Sequence, residues 1–189
     1  MRVISGSAKG IQLSSVPGNS TRPITDRVKE ALFNIIGLDI VEKTLLDLFG
    51  GTGSVGIEAL SRGAECVLFL DTNYRAYKTI KKNLTATNLD PYADVFKKDA
   101  FVYLRGEPDK TFDYIFIAPP QYKGLWHKAM EELDQNPGWL DNFGVIIVQI
   151  HPKEFDNDYS YTNFREFDRR DYGDTLLIFF EKVLTEVNN

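Results

Sequence analysis

Leu45-Leu46-Asp47-Leu48-Phe49-Gly50-Gly51-Thr52-Gly53-Ser54-Val55-Gly56 decides the fold, because an apolar run breaks into glycines and the chain then resumes at helical spacing. The order is strand, tight turn, helix. Glycines at 51, 53 and 56 let backbone approach a nucleotide-like ligand closely, with the N-terminus of the helix directed at it. Two later apolar runs end in comparable punctuation: Cys66 to Leu70 closes on Asp71, and Tyr114 to Ile117 closes on Ala118-Pro119-Pro120. Three strand ends then face one crevice, which is where open α/β sheets bind ligands.

Outward from this centre, strand-like runs alternate with helical segments. The patterning predicts strands near 44–49, 66–71, 93–97, 112–117 and 143–150, and helices near 54–62, 73–88, 99–105 and 123–135. Lys78, Lys81 and Lys82 fall on a solvated helix face. Beyond His151-Pro152, Ser160 to Phe167 and Thr175 to Val183 read as two strands joined through 169–174 with no helix between them, so they form an antiparallel hairpin. The expected fold is α/β, a doubly wound, mostly parallel seven-stranded sheet ending in that hairpin.

Upstream, Val3-Ile4 and Ile11-Gln12-Leu13 suggest a small β arm, and Pro17-Gly18-Asn19 a turn. Thr25 or Asp26 caps a helix with Val28, Ala31, Leu32, Ile35 and Ile36 on one face, and Gly37 ends it. Residues 1–40 thus read as an arm and helix, and 41–189 as the main domain.

The 189 residues, 43% hydrophobic, suffice for a substantial core. With no apolar run long enough to span a bilayer and no secretory leader, a soluble cytoplasmic monomer is expected, with no membrane partner. The single cysteine, Cys66, stands in an apolar run as an inert thiol, and no Cys/His cluster suggests a metal. The net charge of −5 argues against a nucleic-acid partner, but its uneven distribution fits either a phosphate-binding arm or a solvated surface of uneven charge. Residues 1–34 hold Arg2, Lys9, Arg22, Arg27 and Lys29 against Asp26 and Glu30, a net +3 that leaves −8 on the rest. A basic arm on an acidic body can grip phosphates.

The acidic strand end before the first glycine turn and the terminal hairpin resemble class I S-adenosylmethionine-dependent methyltransferases. Within them, Thr21-Arg22-Pro23-Ile24-Thr25-Asp26-Arg27-Val28-Lys29-Glu30-Ala31-Leu32-Phe33-Asn34, the stretch from Asp47 to Ala64, and Tyr172-Gly173-Asp174-Thr175 are similar to the signatures of the RsmD family, the 16S ribosomal RNA guanine-N2 methyltransferases. One departure stands out. That family usually places Asp or Asn before Pro-Pro-Tyr or Pro-Pro-Phe after the fourth strand, whereas this chain has Ala118-Pro119-Pro120-Gln121-Tyr122.

The resemblance implies S-adenosylmethionine as cofactor and S-adenosylhomocysteine as product. Asp47 would then meet the cofactor's ammonium, Asp71 with Thr72 its ribose, Asp99 with Ala100 its adenine, and Phe49, Gly51 and Gly53 its methionine end. Each has a plainer reading: Asp47 bonds turn amides, Asp71 serves the next helix, and Asp99 is an N-cap. Without a carboxylate at 118, the carbonyls of Ala118 and Pro119 and the amide of Gln121 remain to hold the target amine, and Tyr122 or Trp126 to stack on the base; for Trp126 packing is expected. Arg22, Arg27 and Lys29 would meet RNA phosphates, or else form salt bridges. The implied substrate is 16S ribosomal RNA, within a partly assembled small subunit. His127 reads as a surface residue, and His151 as structural.

Three other functions fit part of the pattern. Gly51-x-Gly53-x-x-Gly56 with Asp71 also matches a nicotinamide-dependent oxidoreductase, although no Tyr-x-x-x-Lys accompanies it. A cofactor-binding, non-catalytic relative is compatible with Ala118, and a DNA adenine-N6 methyltransferase with the Pro-Pro turn.

Overall fold

The computed structural model describes residues 1–18, 24–156 and 159–184. Among these, seven strands form one sheet: β1 (Thr44–Asp47), β2 (Cys66–Leu70), β3 (Ala93–Phe96), β4 (Phe112–Ile117), β5 (Leu140–Ile150), β6 (Phe164–Asp171) and β7 (Leu176–Lys182). Their spatial order is β3-β2-β1-β4-β5-β7-β6, with β7 antiparallel to both neighbours and every other pairing parallel. The doubly wound sheet and its terminal hairpin are therefore as expected.

Among the described residues five α-helices cover the two faces. Helices α1 (Asp26–Ile36), α2 (Ser54–Ser61) and α3 (Tyr74–Thr87) pack in one apolar cluster with Leu45, Phe69, Phe116 and Ile147 of the sheet. Helices α4 (Ala100–Leu104) and α5 (Leu125–Gln135) pack in the other, with Leu46, Leu68, Ile115 and Val148. The split follows from the two-residue period of strands: alternate residues supply alternate faces, so a sheet buried on both sides reads as a continuous apolar run. Helix starts use side-chain caps where the sequence offers them: Thr25 Oγ1 accepts from the Val28 amide, Asn73 Oδ1 from Arg75, and Asp99 Oδ1 from Val102.

The N-terminal arm closes through an Arg2 to Gln12 bridge and is bolted to α2 and α3 by polar side chains. Glu58 on α2 accepts the amides of Ile4 (2.7 Å) and Ser5 (3.0 Å). Ser61 Oγ accepts the Ala8 amide and donates to the Ser5 carbonyl. Asn83 on α3 accepts from Ser14 N–H and donates to the carbonyls of Ser14 and Thr52, so one amide joins the arm to the glycine turn. Val3, Ala8 and Leu13 accordingly lie in the same apolar cluster as α1 and α2.

Lys29 corrects an expectation. Its side chain is fully buried, its ammonium 3.4 Å from Glu58 and donating to the Arg2 carbonyl at 2.7 Å, so it holds the arm and is not available to a phosphate. Burial pushes its pKa down while Glu58 pulls it up. The buried face of α1 is thus Val28, Lys29, Leu32, Phe33 and Ile36, with Ile35 exposed. Arg27 is exposed; Arg22, with Thr21 and Pro23, lies outside the described residues. Strand β6 continues through Arg169, Arg170 and Asp171, so the expected connection at 169–174 shrinks to the turn in which Tyr172 N–H donates to the Thr175 carbonyl. No helix among the described residues is long and apolar enough to cross a membrane.

Candidate active site

The C-terminal ends of β1, β2 and β4 border a cleft of about 620 Å³. This is the size range of small-molecule sites. The glycine turn forms its floor. Gly50 N–H donates to the Leu70 carbonyl, and Gly53, with φ +77°, turns the chain into α2 without a side-chain cap on that helix. Gly56 sits where a Cβ would lie 2.3 Å from the Phe69 ring, so its lack of a side chain is what lets α2 pack against β2. The uncapped start of α2 leaves backbone amides for an anionic group of a ligand.

Three carboxylates line the same cleft: Asp47, Asp71 and Asp99, against Lys98 and Lys123. Asp71 is built into the turn, accepting from Gly51 N–H through Oδ2 (2.9 Å) and from Asn73 N–H through Oδ1 (2.8 Å). Each oxygen keeps a second lone pair. Asp99 caps α4 and also lines the cleft, so the plainer reading and the ligand reading of this residue coexist.

Asp47 is the exception to this tidiness. It is buried at the end of β1, bonded to the Phe49 amide, and among the described residues its Oδ1 has no hydrogen-bond partner. Burial, with a smaller push from Asp71, raises its pKa to about 7. A dry, unpartnered carboxylate oxygen in an acid-lined cleft calls for a cationic donor from outside the chain. A ligand bearing an ammonium group fits the residues present.

Opposite the glycine turn, Ala118, Pro119, Pro120 and Gln121 form the other wall. Tyr122 does not belong to that wall. It is exposed, in the left-handed region at φ +60°, with its ring 5.7 Å from His151. A bulky residue there is strained. Glu154 holds it, accepting the Tyr122 amide at 2.6 Å while also accepting the His151 amide. His151 is structural as expected: its Nδ1 accepts from Lys153 N–H, and its Nε2 lies 3.9 Å from Asp174 in the β6–β7 turn. Trp126 is fully buried among Phe155, Tyr159 and His127. His127 is partly exposed, its ring packed against Trp126, with ring nitrogens 3.3 Å from Tyr161 and Asp156.

Of the expected cofactor residues, Phe49, Gly51, Thr72 and Ala100 line the cleft with the three carboxylates, whereas Gly53 shapes the turn behind it. The cleft also holds residues that sequence reasoning missed: Ile24 at the foot of α1, Phe101 edge-on to Phe49 at 6.1 Å, and Gln149 of β5, whose Oε1 is buried without a partner. The signal for Gln149 was its polarity inside the apolar run Val145 to Ile150.

Comparison with known proteins agrees with this geometry. The family described as conserved hypothetical protein 95 matches residues 1–181. YlbH of Bacillus subtilis, named as a candidate rRNA methyltransferase, is 39% identical over 184 residues, 96% of this chain and 99% of that protein. Ribosomal RNA small subunit methyltransferase D of Escherichia coli K12 is 34% identical over 151 residues, 79% of this chain and 74% of that protein. A solved structure of Escherichia coli yhhF, described as a candidate methyltransferase, superposes with a TM-score of 0.83 at 30% identity, covering 96% of this chain and 97% of its own. With its glycine turn, acidic strand ends and Pro-Pro wall, the chain belongs to the conserved hypothetical protein 95 family, that of the ribosomal RNA small subunit methyltransferase D proteins.

Proposed function

We propose that this protein, a cytoplasmic monomer, transfers a methyl group from S-adenosylmethionine to the exocyclic N2 amine of a guanine in 16S ribosomal RNA, within a partly assembled small subunit. The observation that carries the reading is Asp47 Oδ1, buried and unpartnered beside the glycine turn. An ammonium group is the donor it lacks. Three cleft carboxylates against two lysines favour a ligand of net positive charge, which a sulfonium and an ammonium offset by one carboxylate provide. The rRNA methyltransferase names of its relatives support the substrate class.

In this reading Asp47 accepts from the ammonium, Asp71 with Thr72 takes the ribose hydroxyls, and Asp99 with Ala100 the adenine amino group. Phe49, Gly51 and Gly53 shape the methionine end. The cofactor supplies an electrophilic methyl on sulfur. The chain's own work is to bring the amine in line with it and to keep water out, so positioning is most of the catalysis. The amine's lone pair is delocalised into the guanine ring, and acceptors holding its hydrogens favour the pyramidal geometry of the transition state. The stiff Pro119-Pro120 segment aims the carbonyls of Ala118 and Pro119, and Gln121 adds an amide. Tyr122 meets the extruded base at the mouth. Arg22 and Arg27 hold phosphates, and Ile24, just before α1, lines the cleft.

The test is transfer of labelled methyl to small-subunit particles lacking the modification, with free 16S RNA alongside and the product nucleoside identified by mass. N2-methylguanine is expected, with particles preferred. A different methylated nucleoside, or tight S-adenosylhomocysteine binding with no transfer to either substrate, would overturn the proposal. Binding of NADH in place of S-adenosylhomocysteine would move the chain to the oxidoreductases.

A further inference from the structure

We infer that Gln149 is a catalytic residue, its side-chain oxygen accepting a hydrogen of the target amine where position 118 carries no side-chain acceptor. The inference rests on the function proposed above and adds a residue whose place beside Ala118 the sequence pattern does not give.

Strand register carries it. Between β4 and β5, Phe116 stands opposite Ile147 and Ile117 opposite Val148. One step beyond the last pair, that register sets Ala118 opposite Gln149, and paired strands lie about 4.8 Å apart. Alternation then fixes the face. Phe116 and Ile147 belong to the α1–α3 cluster and Ile117 and Val148 to the other, so Ala118 and Gln149 return to the first face, against which Ala118 packs. Asp47, opposite Phe116, lies on that same face.

Among the described residues the cleft therefore holds two dry, unpartnered acceptor oxygens on one side of the sheet: Asp47 Oδ1 and Gln149 Oε1. Two strands across and two residues along, their Cα positions are about 11 Å apart from strand spacing and rise alone. One cationic group cannot serve both. Asp47 adjoins the glycine turn, and Gln149 adjoins the Pro-Pro wall where the base must enter. A buried amide oxygen without a donor is costly, and a bound N–H removes that cost. Being neutral, Gln149 accepts a hydrogen bond without taking the proton. As the N2–methyl bond forms, the methyl–sulfur bond breaks and its electron pair stays on sulfur as a neutral thioether. One N2 proton leaves to water, while the hydrogen held by Gln149 stays on nitrogen.

The experiment compares wild type, Gln149→Leu and the double variant Gln149→Leu/Ala118→Asp in single-turnover methylation of small-subunit particles, alongside S-adenosylhomocysteine binding and melting temperature. Gln149→Leu is expected to slow transfer about 100-fold, with S-adenosylhomocysteine affinity within about twofold. Adding Ala118→Asp restores an acceptor from the neighbouring strand and recovers most of the rate. Unchanged transfer in Gln149→Leu overturns the inference. So does a loss matched by lost cofactor affinity or melting temperature, or one that Ala118→Asp leaves uncorrected, since each marks a structural role. A wild type that methylates no small-subunit RNA overturns the proposed function itself, and the two failures are distinguishable.

Discussion

Replacing Asp47 by Asn removes a carboxylate that, among the described residues, the fold buries without satisfying one oxygen, and the consequence for stability has a definite sign. Because burial raises the Asp47 pKa from 3.8 to about 7, the folded state holds a proton that the unfolded chain has already released. The contribution to stability is complete below pH 3.8, declines as pH rises through about 7, and is gone above it. At 1.36 kcal/mol for each factor of ten in proton affinity, ionised Asp47 costs the ligand-free fold about 4 kcal/mol. Asparagine resembles the protonated carboxyl in shape and charge, so it escapes that cost. Urea unfolding without ligand should find the variant more stable than wild type at pH 8.5 by up to about 4 kcal/mol, with the difference shrinking towards zero by pH 4.5. Saturating S-adenosylhomocysteine should reverse the order, since only the carboxylate pairs with an ammonium. Wild-type binding below pH 7 should also release a proton, read by calorimetry in buffers of different ionisation enthalpy. A variant less stable than wild type at pH 8.5 without ligand, or equally stabilised by the ligand, would refute the reasoning.

Gly56→Ala forces a Cβ to within 2.3 Å of the Phe69 ring and should lower stability by about 3 kcal/mol in thermal or urea unfolding. Lys29→Met breaks the buried pair with Glu58 and should cost about 3 kcal/mol, with limited proteolysis cutting sooner within the first 18 residues. Arg27→Gln should weaken 16S RNA binding and lower the slope of log affinity against log salt by about one, without changing S-adenosylhomocysteine affinity.

Punctuation made the centre of the fold legible. Glycines, Asp71 and Pro119-Pro120 end strands in ways that sequence shows directly, so β1, β2 and β4 and the cleft between them follow from the chain alone. Patterning failed where charge entered the interior or where pairing decided the limits. Lys29 reads as surface until Glu58, 29 residues on, is known to meet it. Phe33 then takes the inward place that the period assigned to Ile35. Strand β5 begins at Leu140, before the expected start, because a register shift between Phe112 and Tyr114 absorbs the extra residues. Strand β6 outruns its apolar pattern because Arg165 pairs with Glu181, and Arg169 and Arg170 with Glu166 and Asp168, which lets a charged edge stay extended. Gln149 is visible as a lone polar residue, but only register places it beside Ala118.

The bolts on the N-terminal arm impose an order of events on the newborn chain. Ile4 and Ser5 need Glu58, Ala8 needs Ser61, and Ser14 needs Asn83, sequence separations of 53 to 69 residues. The arm is synthesised before α2 and α3 and therefore waits for them to emerge before its backbone amides find these partners, and such long closures slow folding. Asn83 also grips the Thr52 carbonyl, so the arm and the glycine turn reach their final places in the same late step. A chain interrupted before residue 83 would carry the glycine-turn sequence in full and still lack the clasp that sets it.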